Sequence, residues 1–157
     1  MRSLAGLAIS ITTCLIAAVP GSMVTAPAIT TWYNGLRKPS LAPPNWVFAP
    51  AWTTLYLLMG VSLYLILNAE LEKNETRRSI AVFSIQLLLN ISWSYLFFGL
   101  RSILLGLIGI TLLWIAIVLT IISSSKVSRP AALLLIPYLA WVSFASYLNY
   151  MLLILNT

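Results

Sequence analysis

The chain has 157 residues, of which 61% are apolar and only 8% are charged, and its formal net charge is +6. Because a soluble domain carries about a quarter charged residues, this composition excludes a water-soluble globular protein and indicates one that lies in lipid. The absence of histidine and the single cysteine, Cys14, exclude a zinc site, a Cys-His nucleophile, an internal disulfide and a histidine-ligated haem.

Charged residues divide the chain into five apolar stretches, each with the ~20 residues needed to cross a hydrocarbon core of about 30 Å. Since lipid offers no hydrogen-bond partners to the backbone, each stretch must form a helix. The predicted spans are residues 4–24, 45–68, 79–100, 102–125 and 130–155. We therefore predict an all-α membrane protein, in which residues 1–157 form one domain: a bundle of five transmembrane helices.

The first span also has features of a secretory signal, because the segment from Val24 to Ala26 resembles a small-residue cleavage site. However, its apolar run is longer than the roughly 7–15 residues of a signal's apolar core. Pro27 would also follow the cut, where processing is poor. We therefore interpret residues 4–24 as the first membrane helix.

The connection between the first and second spans, residues 25–44, is long and almost uncharged. It contains Trp32, Tyr33 and Gly35, followed by Pro39, Pro43 and Pro44. This mixture favours a folded loop capping a pocket, because long ordered loops are usually functional. The alternative is an ordinary aromatic loop that rests on lipid headgroups. By contrast, the turn at residues 70–78 is short and holds all three acidic residues, Glu70, Glu72 and Glu75.

The distribution of lysine and arginine predicts the orientation in the membrane. One side carries Arg2, Lys73, Arg77, Arg78, Lys126 and Arg129, and the other side carries Arg37, Lys38 and Arg101. Cytoplasmic loops are enriched in these residues. We therefore expect a cytoplasmic N-terminus, with the first loop and the C-terminus on the opposite side. The basic clusters between apolar runs indicate contact with lipid headgroups and not with nucleic acid.

The polar and aromatic residues within the spans form stripes at helical spacing. On the third span the stripe is Gln86, Asn90, Trp93 and Phe97. Two further stripes are Trp52, Tyr56 and Met59 on the second span, and Tyr138, Trp141, Ala145 and Leu148 on the fifth. Buried amides need partners in lipid, so Gln86 and Asn90 should point into the bundle, either to join helices or to line a pocket for a flat apolar ligand.

Other residues fit simpler roles. Trp46, at the start of the second span, is typical of the membrane interface, and Trp114 is mid-span without a polar neighbour, which favours packing or lipid contact. The first and fourth spans are interpreted as scaffold. Within the spans there is no Asp or Glu, and no Lys or Arg lies near a centre; this argues against an ion-driven transporter.

Several segments, in order along the chain, resemble the translocator protein family, also called tryptophan-rich sensory proteins or peripheral benzodiazepine receptors. They are WYNGLRKP at 32–39, AWTTLYLLMG at 51–60, QLLLN at 86–90, and PYL at 137–139 with Trp141. The resemblance implies a five-helix fold that binds protoporphyrin IX-like tetrapyrroles, and also frequent homodimers. No cofactor is expected beyond the porphyrin ligand, and no metal.

The resemblance also assigns site residues by position. Ligand-binding positions are Trp46, Phe48, Trp52, Tyr56, Asn90, Trp93, Trp141, Ala145 and Leu148. Trp52 and Trp141 also match the tryptophans implicated in light-dependent porphyrin breakdown by bacterial members, and would be the catalytic residues of such an enzyme.

Three functions therefore remain open. The chain is a membrane receptor or sensor that holds a porphyrin between Trp52 and Trp141, a light-dependent porphyrin-degrading enzyme, or a facilitative transporter of tetrapyrroles or lipids. Without histidine, a metal set or a buried carboxylate, ordinary acid–base catalysis is unsupported, which favours the receptor.

Overall fold

The computed structural model describes residues 3–69 and 73–157. Arg2 of the predicted charge asymmetry, and Glu70 and Glu72 of the predicted acidic turn, lie outside the described residues. The helices are α1 (Leu4–Thr30), α2 (Phe48–Leu67), α3 (Lys73–Ser94), α4 (Ile103–Val127), α5 (Arg129–Leu134) and α6 (Ile136–Leu155). Short 3₁₀ turns form at Tyr33–Gly35 and Asn45–Val47, and a π-helical turn, Tyr95–Gly99, continues α3.

Within residues 3–69 and 73–157, five helices are long and apolar enough to cross a membrane, the fifth being α5 and α6 together. The described part of the chain contains no strand, so the predicted all-α, five-span architecture is confirmed. The break between α5 and α6 at Leu135 follows from Pro137, which cannot donate a backbone hydrogen bond and stands in the first turn of α6.

The first helix runs six residues further than predicted, to Thr30, with Pro20 and Pro27 inside it. Prolines are tolerated in membrane helices because neighbouring groups satisfy the freed backbone. At the C-terminal end of the helix, the Thr31 hydroxyl donates to the Pro27 carbonyl at 2.7 Å. The first connection consequently covers residues 31–44 instead of 25–44.

The third helix begins six residues earlier than predicted, at Lys73. The sequence predicts a charged turn that ends with Arg77 and Arg78. Charge marks where a chain leaves the hydrocarbon, but a helix can continue into water, where these exposed side chains are solvated.

The five spans pack around a ring, and α2 and α3 also contact each other. α1 contacts α2 and α3, α3 packs on α4, α4 packs on α5 and α6, and α5 returns to α2. The stripe of Gln86, Asn90, Trp93 and Phe97 is buried, with exposed fractions of 7% or less. The two amides therefore point into the bundle, as predicted.

The first connection is held at two places. Tyr33 is buried and packs edge-on against Phe48, at a ring separation of 5.9 Å. Burial raises the pKa of the Tyr33 phenol above its ordinary value. At the other place, Asn156, just beyond α6, accepts a hydrogen bond from the Arg37 amide at 3.0 Å and donates one to the Arg37 carbonyl at 2.9 Å. The loop and the C-terminus are therefore joined on one side of the bundle.

Candidate functional site

A cavity of about 250 Å³ lies between α1, α2 and α3, in the half of the bundle nearer the first connection. Its aromatic lining is Phe48, Trp52, Tyr56, Trp93 and Phe98. Asn90 and Ser94 of α3 add polar groups. Five of the nine residues predicted to bind ligand thus line one cavity: Phe48, Trp52, Tyr56, Asn90 and Trp93.

The aromatic rings of this cavity contact one another closely. The Trp52 ring lies 6.0 Å from Trp93, tilted by 32°, and 6.1 Å from Tyr56. Trp93 in turn stacks on Phe97 at 5.8 Å and 14°. The π-helical turn presents both Phe97 and Phe98 to the interior, although they are adjacent in sequence and would point about 100° apart in a regular helix. The result is a continuous aromatic wall on which a flat apolar molecule can pack.

Asn90 is the polar centre of the cavity and also joins two helices. Its Nδ2 donates to the Tyr138 hydroxyl at 2.7 Å, which links α3 to α6. Gln86, one turn away, donates more weakly to the Met59 sulfur at 3.8 Å. The interpretation of these amides as helix-joining groups therefore holds for Asn90, which contributes to packing and to the cavity wall at once.

The remaining predicted residues lie elsewhere. Trp46 is 74% exposed, ahead of α2, which fits the membrane interface. Leu148 is buried in the core, and Ala145 is half-buried against it. Trp141 lines a separate groove between α2 and α6, together with Pro50 and Phe144.

The hypothesis of a porphyrin held between Trp52 and Trp141 requires both indoles to line one cavity. In the structure, they line different ones. Trp141 touches the cavity indirectly, because its ring lies 6.4 Å from that of Phe48, a lining residue. The fifth span presents Tyr138 to the interior at this level, 6.3 Å from Trp52, and directs Trp141 towards the groove.

The sequence interpretation missed the contribution of α1, which it treated as scaffold. Leu15, Ala18, Gly21, Ser22, Thr25, Ala26 and Ile29 all line the cavity. Their spacing of three and four residues follows one helical face, and this face is made mostly of small side chains. Such a face was visible in the sequence, but small residues equally indicate close helix packing. The prediction that Trp114 has no polar neighbour is also wrong, because its Nε1 donates to the Ser143 hydroxyl of α6 at 2.8 Å.

The cavity offers surfaces for packing and hydrogen bonding and no obvious acid–base pair. Among the described residues, no group of three or more His, Cys, Asp or Glu side chains could hold a metal ion. A cation lies near the loop side, where Lys38 Nζ is 4.8 Å from the centre of the Tyr33 ring. Tyr33 packs on both Phe48 and Phe98 of the cavity wall.

Known proteins resemble this chain over most of its length. The family model described as TspO/MBR matches residues 10–155. The chain is 49% identical over 150 residues to tryptophan-rich protein TspO of Chlorobaculum tepidum, covering 96% of this chain and 95% of that protein. It is 42% identical over 122 residues to the human translocator protein, covering 76% and 71%. It is 34% identical over 125 residues to the tryptophan-rich sensory protein of Cereibacter sphaeroides, covering 80% and 77%. The resemblance inferred from the sequence segments is confirmed, and the chain belongs to the TspO/MBR family.

Proposed function

We propose that this protein is a membrane receptor that binds a flat tetrapyrrole of the protoporphyrin type in the cavity between α1, α2 and α3. The observation that carries the proposal is the continuous aromatic wall of Trp52, Trp93 and Phe98 around the single amide of Asn90. Offset and edge contacts between aromatic rings contribute about 0.5–1.5 kcal/mol each beyond area burial. A porphyrin macrocycle is a flat π-system that suits such a wall.

The cavity volume constrains how a porphyrin would sit. About 250 Å³ is available, whereas pockets for drug-sized ligands occupy about 300–1,000 Å³. A porphyrin is larger than the cavity, so part of the macrocycle would extend beyond it. Exposed lining residues such as Ala26 and Ala49 leave room for that part on the lipid-facing side.

The first connection would cover the cavity and supply charge. Tyr33 is buried against Phe48 and Phe98, and Lys38 is adjacent to Tyr33. Porphyrin propionates are anionic, so a cation at this end would pair with them while the apolar ring packs on Trp52. This orientation directs the propionates towards the loop and the ring towards the bundle.

Titration of protoporphyrin IX into the purified protein in lipid nanodiscs, followed by the porphyrin absorbance, tests the proposal. Replacing Trp52 by leucine should raise Kd about two- to twelvefold, the equivalent of one lost aromatic contact. Trp52→Phe should fall between that variant and the wild type. Trp114→Phe, on the lipid-facing side of α4, serves as the matched control and should bind as the wild type does.

Unchanged affinity in Trp52→Leu would contradict binding in this cavity. A Trp141→Leu variant adds a second readout: a loss equal to that of Trp52→Leu would mean that the macrocycle also reaches Trp141, as in the hypothesis of stacking between the two indoles.

Light-dependent porphyrin breakdown is favoured by one feature, the contact between two oxidisable indoles, Trp52 and Trp93, in the cavity wall. Illumination of the bound complex separates the two functions. With a receptor, illumination bleaches the bound porphyrin no faster than free porphyrin, whereas a degrading enzyme shows a faster spectral loss that requires Trp52.

A further inference from the structure

One side of the cavity is formed by exposed residues. Ser22 and Ala26 of α1 and Ala49 and Thr53 of α2 line the cavity, and all four are also exposed on the outer surface of the bundle. Because this surface lies within two membrane-crossing helices, the cavity opens towards lipid through a gap between the loop-side halves of α1 and α2. We refer to these four residues as the mouth.

The other sides of the cavity are closed by buried side chains. Towards the loop, Tyr33 is only 3% exposed and packs on Phe48 and Phe98. Towards the opposite end of the bundle, Cys14 and Met59 are fully buried. A ligand that reaches Trp52 from the mouth therefore displaces nothing of the core.

The gap has a physical origin in the way α1 crosses its neighbours. Near one end α1 touches α2 so closely that a Cβ added to Gly60 would lie 2.5 Å from the Ile11 Cα. Further along, α1 touches α3 instead, since a Cβ on Gly21 would lie 3.0 Å from the Ser94 hydroxyl. At 1.5 Å per residue, Ile11 and Gly21 are about 15 Å apart along the helix. Over that distance the closest contact of α1 passes from α2 to α3, which leaves space beside α2 for the gap.

The mouth is chemically suited to an apolar solute. Its side chains are small, and its two hydroxyls are already satisfied: Ser22 donates to the Val19 carbonyl and Thr53 to the Ala49 carbonyl, each at 2.8 Å. An unsatisfied polar group would be costly against lipid. The mouth therefore presents neither steric bulk nor a free hydroxyl donor to a molecule dissolved in the membrane.

We propose that the ligand enters the cavity sideways, from the loop-side half of the bilayer, through the gap between α1 and α2. The inference rests on the proposed function for the class of ligand, a flat amphiphile that partitions into membranes. It adds the route: the aqueous face of the first connection is not the entrance, and Tyr33 stays in its aromatic contacts while the ligand binds.

The test blocks the mouth reversibly. An Ala49→Cys variant in nanodiscs is modified with a bulky methanethiosulfonate reagent, and protoporphyrin IX binding is followed by stopped-flow absorbance. Modification should lower the association rate constant at least fivefold, and a reducing agent should restore it. Ala81→Cys, an exposed alanine on α3, is the matched control and should bind at the wild-type rate when modified. Cys14 is fully buried, and the wild type measures any contribution from its modification.

An Asn156→Ala variant tests the competing route. It removes both hydrogen bonds to Arg37 and so loosens the loop. Lateral entry predicts an unchanged association rate in this variant. A rate that rises in Asn156→Ala and does not respond to modification at Ala49→Cys would overturn the proposal in favour of entry beneath the loop.

A second measurement examines the gap without porphyrin. In nanodiscs of phosphatidylcholine brominated on its acyl chains, an open gap should allow quenching of Trp52, measured as the difference between wild type and Trp52→Phe. Modification at Ala49→Cys should remove that quenching. Absence of Trp52-dependent quenching in the wild type would overturn the lateral route even if porphyrin binds. Trp52-dependent quenching without porphyrin binding would support the open gap and contradict the proposed ligand.

Discussion

Asn90 has two roles that are difficult to separate in a membrane protein. Its side chain is 2% exposed, lines the cavity and donates to the Tyr138 hydroxyl. In lipid, a buried amide must find a partner, and here the partner comes from another helix. The amide thus holds α3 and α6 in register, and the same contact fixes the polar centre of the cavity.

Removing the Tyr138 hydroxyl should destabilise the bundle. In Tyr138→Phe the Asn90 amide loses its partner, and hydrogen bonds between membrane helices contribute about 0.6–1.7 kcal/mol. We expect a loss of that size in the free energy of unfolding, measured by titration with a denaturing detergent. Tyr150→Phe, at a position that is 52% exposed, is the control and should match the wild type. A Tyr138→Phe protein as stable as the wild type would mean that the hydrogen bond contributes nothing.

Helical spacing predicted which residues of α3 face inward, because a buried stripe on a helix recurs every three to four residues. The same reasoning grouped Trp141 with Tyr138 on the fifth span, yet Trp141 lines the groove between α2 and α6. A stripe defines a face of a helix only to within a broad angle, and a large indole at its edge can turn to either side.

The packing of α1 on α2 depends on the absence of a side chain at Gly60. A Cβ there would lie 2.5 Å from the Ile11 Cα and 3.1 Å from its backbone nitrogen. Since these are backbone atoms, no side-chain rotation can relieve the contact, and the two helices must move apart.

Gly60→Ala should therefore cost about 1–3 kcal/mol of stability through overpacking. Adding Ile11→Ala should not rescue it, because the clash is with backbone. Gly35→Ala is the matched control: nothing lies within 4 Å of a Cβ there, and its backbone φ is not positive, so the change should stay within about 0.5 kcal/mol. Detergent-induced unfolding followed by tryptophan fluorescence compares the three variants. Equal stability of Gly60→Ala and Gly35→Ala would contradict the close crossing.

At the scale of the whole molecule, the orientation in the membrane stays a prediction from charge. Six basic residues on one side against three on the other favour a cytoplasmic N-terminus. The join between Asn156 and Arg37 requires the loop and the C-terminus to lie on the same side. The homodimer implied by family resemblance likewise stays a prediction.

Cysteine accessibility in intact cells checks the orientation. With a membrane-impermeant maleimide, Ser40→Cys and Thr157→Cys should be labelled from outside, and Asn74→Cys should be labelled only after permeabilisation. All three positions are exposed, so reactivity reports the side of the membrane. Labelling of Asn74→Cys alone in intact cells would reverse the assignment.

The sequence by itself determined the membrane class, the number of spans and the inward direction of the α3 stripe, because hydrophobicity, charge and helical period are local properties of the chain. Only the tertiary structure decided where the cavity lies. Two features result from contacts between residues distant in sequence: α1 passes from a close contact with Gly60 to one with Ser94, and Trp52 and Trp141 line different cavities. The sequence does not predict that small residues such as Ala18 and Gly21 line a cavity, because that role depends on the space that the neighbouring helices leave beside them.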